Sequence, residues 1–249
     1  MHFEILVEGQ TDLMTLSVLM AKMVGPYRNP HTWKIHPHRG IGKLPEPSAL
    51  KTNLTDHTLL HNLPSKLKAY GESMAKDEMV VVLVDLDDRP DCRAFKQELV
   101  SLLEHCPQRP NCLFRIAVEE LEAWFLGDIA AVLAAYPQAK RPVLDGYIQD
   151  SPCGTWELLA DAIHPGGMAA LAADGKRSQV VLNEKKKWAR QIAPKMDVEH
   201  NLSPSFQCFR DGLRLKIGPA ATPPPPATPP PPRPRPATTA PAPLPPGAT

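Results

Sequence analysis

Glu8, Asp85 and Asp87 are the residues whose types and spacing could do chemistry. Glu8 closes the short apolar run Phe3–Val7, and the two aspartates close Met79–Val84. Two side chains two residues apart point the same way in an extended backbone. Like charges ~4 Å apart repel by about 4 kcal/mol at an effective dielectric of 20. A divalent cation between them relieves that repulsion. Mg²⁺ takes hard oxygen ligands, commonly one or two carboxylates completed by water and phosphate. The outline is that of a phosphoryl-transfer site, with Glu8 handling a proton or bridging a second ion. A plainer reading stands beside it, because an acidic turn after a strand often only caps the next helix, as Asp88 and Asp91 would.

The elements that must position these residues follow from hydrophobic periodicity. Phe3–Val7 reads as a strand, Glu8-Gly9 as a turn, and Leu13, Leu16, Met20 and Val24 as one helix face. Thr11 is the expected N-cap of that helix, and Gly25-Pro26 its stop. Trp33–His36 reads as a strand, His36 to Lys43 as a loop, and Leu63–Ala75 as a helix. Met79–Val84 is uninterrupted and valine-rich, as expected of a central parallel strand covered on both faces. Asp91 caps a helix carrying Phe95, Leu99, Leu102 and Cys106. Leu113–Val118 is a further strand, followed directly by a long helix over Glu119–Tyr136. Thr155–His164, Val180–Lys195 and Ser203–Leu215 complete a helical extension, the last capped by Ser203 with Pro204 at its first position. Alternating strands and helices predict an α/β domain whose mostly parallel sheet is flanked by helices. In such a sheet the C-terminal strand ends line one edge, where ligands bind. Glu8 and Asp85, 77 residues apart, can meet there.

Composition bounds the function classes. The chain has 249 residues, 28 Lys and Arg against 27 Asp and Glu, and 30 prolines, 15 of them after residue 218. The first 218 residues hold 26 basic and 27 acidic groups, which argues against a protein living by a large basic surface. The expected domains are an α/β domain over 1–136, a helical extension over 137–218, and a disordered Pro-rich tail over 219–249. No apolar run approaches the ~20 residues that span a bilayer. The start of the chain lacks a basic-then-apolar leader, so a cytoplasmic setting is expected. Cys92, Cys106, Cys112, Cys153 and Cys208 form no CxxC pair and read as reduced, buried thiols.

Rival motifs fit less well. A Walker-type ATPase needs GxxxxGK[ST], whereas Gly40-Ile41-Gly42-Lys43-Leu44 has the wrong spacing and ending. A haloacid-dehalogenase-type phosphatase usually has Thr or Val two residues past its second aspartate, where this chain has Arg89.

The segments from Val7 to Asp12 and from Val82 to Asp88 resemble the toprim domain of topoisomerases, primases and overcoming-lysogenization-defect nucleases. A wider resemblance, over about residues 3–215, is to a bacterial toprim-like family, domain-of-unknown-function family 4276. Gly42 to Leu44, Arg115 to Asp128, Lys186 to Ala189 and Asn201 to Phe206 carry it. The most specific segments are Glu120-Leu121-Glu122-Ala123-Trp124 and Ser203-Pro204-Ser205-Phe206. The resemblance implies a toprim-like, Rossmann-like fold, Asp85 and Asp87 as ligands of Mg²⁺ (or Mn²⁺), and Glu8 as acid/base or metal-bridging carboxylate. It also implies an ATPase partner and a role in phage defence.

Secondary candidates complete the reading. Glu119 and Glu122 share a helix side, with Glu120 pointing elsewhere, and the resemblance adds weight to Glu122 as a catalytic residue. Acids in a first helical turn also simply favour the helix dipole. Trp124 reads as core, and Asp128 as a polar partner or an exposed group. His36, His38, Arg39 and Lys43 form a loop that could steer phosphate. Lys185, Lys186, Lys187 and Arg190 lie along one helix, where a charge run is usually a solvated face. Of these basic residues, Arg39, Lys43, Lys186 and Lys187 are the candidate nucleic-acid contacts. The expected function is a Mg²⁺-dependent nuclease. The alternatives are a non-catalytic module docked on an ATPase, or a small-molecule phosphohydrolase.

Overall fold

Phe3–Val7 and Met79–Val84 lie side by side at the centre of a four-stranded, all-parallel sheet of order β2-β1-β3-β4. The strands are β1 (His2–Val7), β2 (Thr32–Pro37), β3 (Glu78–Asp85) and β4 (Cys112–Ala117). The computed structural model describes residues 1–45, 55–152 and 154–218. The expected Pro-rich tail and Cys153 lie outside the described residues.

The central position of β3 follows from its composition, since Met79 to Leu83 are at most 2 % exposed. An uninterrupted apolar strand needs cover on both faces. The strand order reverses direction after β2, so right-handed crossovers put the helix after β1 and the helix after β2 on opposite faces. On one face α1 (Gln10–Val24) packs over Phe3, Ile5, Met79 and Val81. On the other, α2 (Leu59–Ser73) and α3 (Cys92–Ser101) cover Leu6, Val80, Val82 and Val84. The sheet is therefore Rossmann-like.

The chain after β4 is all helical among the described residues: α4 (Glu122–Leu126), α5 (Ile129–Ala135), α6 (Arg141–Asp145), α7 (Thr155–Ile163), α8 (Gly167–Leu171), α9 (Gln179–Ile192) and α10 (Pro204–Ile217). Trp124, Trp188, Phe206 and Phe209 from this part share one apolar cluster with Phe3 and Leu16. Met1–Pro219 forms one unit. No helix among the described residues is long and apolar enough to cross a membrane.

Three expectations need correction. The first helix begins at Gln10, not after a Thr11 cap. Gly9 takes the N-cap position, and the Asp12 carboxylate reaches back to accept the Gly9 N–H at 2.9 Å. The long helix over Glu119–Tyr136 is broken twice. Glu119 has φ 61°, so the chain turns before α4 begins at Glu122. Asp128 then caps α5 through the Ala131 N–H, and the Gly127 carbonyl accepts Leu202 N–H instead of continuing the helix. Finally, the described cysteines are free thiols but not all buried, because Cys92 and Cys208 are exposed. Asp91 caps α3 and Ser203 caps α10 as expected.

Candidate functional site

The reversal of strand order between β1 and β3 opens a crevice at their C-terminal ends, the usual ligand position in an open parallel sheet. Glu8 leaves β1 into that crevice, and Asp85 ends β3. The Asp85 backbone N–H donates to Glu8 Oε1 at 2.7 Å. Asp12, in the first turn of α1, is buried beside them. Glu120 and Glu122 approach from the turn after β4. Five carboxyl groups from three strand ends therefore share one poorly hydrated place.

Their protons report the crowding. Burial, then the charge of Asp12, pushes Glu8 well above the ordinary carboxyl range. Burial, with Glu8 next, does the same to Asp85. Burial lifts Asp12 to about 6, with Glu122 adding to it. Glu120 rises to about 8, through burial and then the charge of Glu122. Carboxyls crowded in low dielectric hold their protons more tightly.

Among the described residues, Lys185 is the cation paired with these acids, while Arg89 acts on Glu8 from the rim. The Lys185 ammonium, reaching in from α9, lies 2.7 Å from Glu120 Oε2 and 3.4 Å from Glu122 Oε2. It also lies 5.5 Å from the Trp156 ring centroid, within cation–π reach. Burial alone would lower its pKa, but the charges of Glu122 and Glu120 raise it. Lys185 was expected on a solvated face. The structure half-buries it because it falls four residues after Val181 and three before Trp188, beside the apolar stripe of α9.

Two further placements differ from expectation. Glu119 and Glu122 do not act together. With its left-handed backbone, Glu119 turns away and accepts the Gly154 and Thr155 N–H groups at 2.5 and 3.0 Å, capping α7. Glu120, expected to point elsewhere, is the residue that joins Glu122 at Lys185. Nor do Asp85 and Asp87 project from one extended segment. The strand ends at Asp85, and Asp87 has φ 50°, with its N–H donated to the Glu119 carbonyl at 2.8 Å. Asp87 stays near enough to Glu8 to raise its pKa, but it lies at the rim and pairs with Arg89 at 3.4 Å.

The candidate basic contacts scatter. Arg39 and Lys43 are exposed after β2. Lys187 pairs with Glu184 at 3.0 Å, and Lys186 is half-buried.

A divalent ion fits the donor chemistry here. All five groups offer hard carboxylate oxygens, and Glu122 Oε1 is buried without a hydrogen-bond partner. Among the described residues no three His, Cys, Asp or Glu side chains stand ready as a metal cluster. An Mg²⁺ ion asks for only one or two of them.

Residues 7–214 match the family model described as Domain of unknown function (DUF4276). The chain belongs to that family. No curated protein and no solved structure gives a significant match. In this DUF4276 member the two most specific sequence segments meet. Trp124 Nε1 donates to Ser205 Oγ at 3.0 Å, and Asn201 Nδ2 donates to the Trp124 carbonyl at 2.8 Å. Asp150 accepts both the Ser203 hydroxyl and the Ser205 N–H. Together they clamp α4, and so hold Glu122 in the acid cluster. Trp124 is core, as expected.

Proposed function

We propose that this chain is a toprim-type, Mg²⁺- or Mn²⁺-dependent phosphodiesterase acting on nucleic acid. The observation that carries the reading is the hydrogen bond from Asp85 N–H to Glu8 Oε1 at the strand-reversal crevice, with three more carboxyls around it. Asp85 and Glu8, with Asp87 at the rim, would hold the ion. When bound, it would polarise the scissile phosphate and stabilise the charge that builds there. Where Glu8 does not bridge the ion, its carboxylate would take a proton from attacking water and pass it on. Glu122 belongs to the same site through its unpartnered Oε1. Lys185 holds Glu120 and Glu122 in position and offsets their charge. The free thiols suit a reducing cytoplasm.

The test compares wild type with Glu8→Gln, Asp85→Ala and Asp87→Ala on supercoiled DNA, single-stranded DNA and RNA, in Mg²⁺ or Mn²⁺. Cleavage is expected from the wild type and at least 100-fold less from folded Asp85→Ala, the usual scale for a group acting in proton transfer or charge stabilisation. Unchanged cleavage in all three variants overturns the reading.

A second reading rests on Lys185. A cluster in which an internal ammonium already pairs with two of the acids also suits a non-catalytic module that docks on an ATPase in phage defence. Absence of cleavage by wild type, with co-purification of such an ATPase, would favour it. Turnover of aryl phosphates alone would favour a small-molecule phosphohydrolase.

A further inference from the structure

One strand over from Glu8, the end of β2 opens onto a polar hollow of about 320 Å³ lined by His36, His38, His57, Asn62 and Lys66. His57 also lines an adjoining hollow of about 380 Å³ with Arg39, Asp56 and Thr58. Together they make a trough running along the same sheet edge as the acid cluster.

The trough is held rigidly against the end of β1. His38 N–H donates to the Val7 carbonyl at 3.0 Å, and Gly40 N–H to the Glu8 carbonyl at 2.9 Å. On its far side, Arg39 N–H donates to the His57 carbonyl at 3.0 Å and Leu59 N–H to the Gly40 carbonyl at 3.0 Å. His38 Nδ1 bonds the Val7 carbonyl at 2.8 Å, which orients the ring and leaves Nε2 as its other polar atom.

The charges in the trough are unevenly answered. Its acids are occupied: Glu4 is bound by His36 and His2, and Asp56 by Thr58 and His61. Its cations are not. Among the described residues neither Lys66 nor Arg39 makes an ion pair or a side-chain hydrogen bond, although Lys66 is half-buried. Lys185, by contrast, sits on two carboxylates and Arg214 on Glu199. A half-buried ammonium with no hydrogen bond or ion pair among the described residues, whose one charged neighbour, Glu4, is already bound by two histidines, lies beside imidazoles and an exposed guanidinium and matches an anion with several oxygens.

We infer that this trough is a second phosphate subsite, which takes the backbone phosphate next to the one held at Glu8 and Asp85. The proposal rests on the nucleic-acid reading above and names the residues that would give it affinity. Adjacent parallel strands lie ~4.8 Å apart, so a strand of nucleic acid crossing the sheet edge passes from one site directly to the other. Lys66 and Arg39 would each neutralise one backbone charge.

The experiment measures binding of a fluorescent 12-residue oligothymidylate by anisotropy, in chelator, over a range of salt. Each phosphate contact to a single strand contributes about 0.7 to the slope of log K against log salt. Lys66→Ala and Arg39→Ala should each lower that slope by about 0.7 and weaken binding several-fold at low salt. Lys66→Arg should restore it. Lys68→Ala, an exposed residue on the same helix with the same charge change, should leave the slope unaltered. Equal binding by wild type and Lys66→Ala, an equal loss in Lys68→Ala, or no binding by wild type overturns the subsite. Asp85-dependent cleavage with Lys66-independent binding removes the subsite and spares the reaction. Lys66-dependent binding without cleavage does the reverse.

Discussion

Lys185 is a single ammonium among five carboxyls, and its removal is the severest single change the site can suffer. Taking one partner from a buried ion pair typically costs about 3–5 kcal/mol, because the other charge stays behind. Lys185→Met should lose stability on that scale in urea unfolding at pH 8, and less at pH 5, where Glu120 carries its proton. Adding Glu120→Gln should recover part of the loss. The carboxyls also set the pH dependence of the wild type. A carboxyl whose pKa is raised by folding binds its proton more tightly in the native state, so stability falls as pH rises above the unfolded value. That decline should begin near pH 4 and run through the folded values near 6 for Asp12 and near 8 for Glu120. Lys185 has the same sign in a higher pH window. Its raised pKa contributes stability that is present at neutral pH and lost only at strongly alkaline pH. If a divalent ion binds this cluster, Mg²⁺ should raise the melting temperature more at pH 8 than at pH 5. An equal rise at both would argue that the ion binds elsewhere.

At the scale of elements, the sharpest expectation concerns the break between α4 and α5. A Cβ added at Gly127 would lie 2.2 Å from Asn201 Oδ1 and 2.9 Å from Ser203 Cβ. The residue has an ordinary helical φ of −68°, so the cost is steric, not conformational. Gly127→Ala should destabilise by about 1–3 kcal/mol, read as a shift of the urea midpoint. It should also loosen the clamp that holds Glu122. The sequence revealed the strands, the caps at Asp91 and Ser203, and the strand ends bearing Glu8 and Asp85, because each is written in adjacent residues. It concealed the turn at Glu119, since a left-handed glutamate is imposed by its contacts with Gly154 and Thr155, 35 residues away. With that turn unseen, Glu119 and Glu120 exchanged roles. Lys185 was legible in principle, because its place on the Val181–Trp188 stripe is a matter of counting. Asp12 was legible too, as the acid three residues after Gly9. Lys66 carried no such mark, for only the packing of α2 brings it beside β2.

On the scale of the whole molecule, the sheet and the later helices share one apolar cluster, with Trp124 packed against Phe206 and Phe209. A chain ending at residue 219 should therefore unfold in one cooperative transition, seen identically by tryptophan fluorescence and far-UV circular dichroism. A chain ending at residue 136 should not fold, because the sheet face that α9 and α10 cover would meet water. Separate transitions in the longer chain would show that the cluster is not one cooperative core. The Lys185 ammonium has a further consequence in the order of synthesis. Domains form as the chain emerges amino end first. Glu8, Asp12, Asp85, Glu120 and Glu122 all leave the ribosome before Lys185 does. Until α9 arrives, the sheet face is uncovered and Glu120 and Glu122 lack the ammonium they pair with. The crevice is thus a late product of translation, and a message truncated before codon 185 yields a chain that quality-control proteases can clear before any site exists.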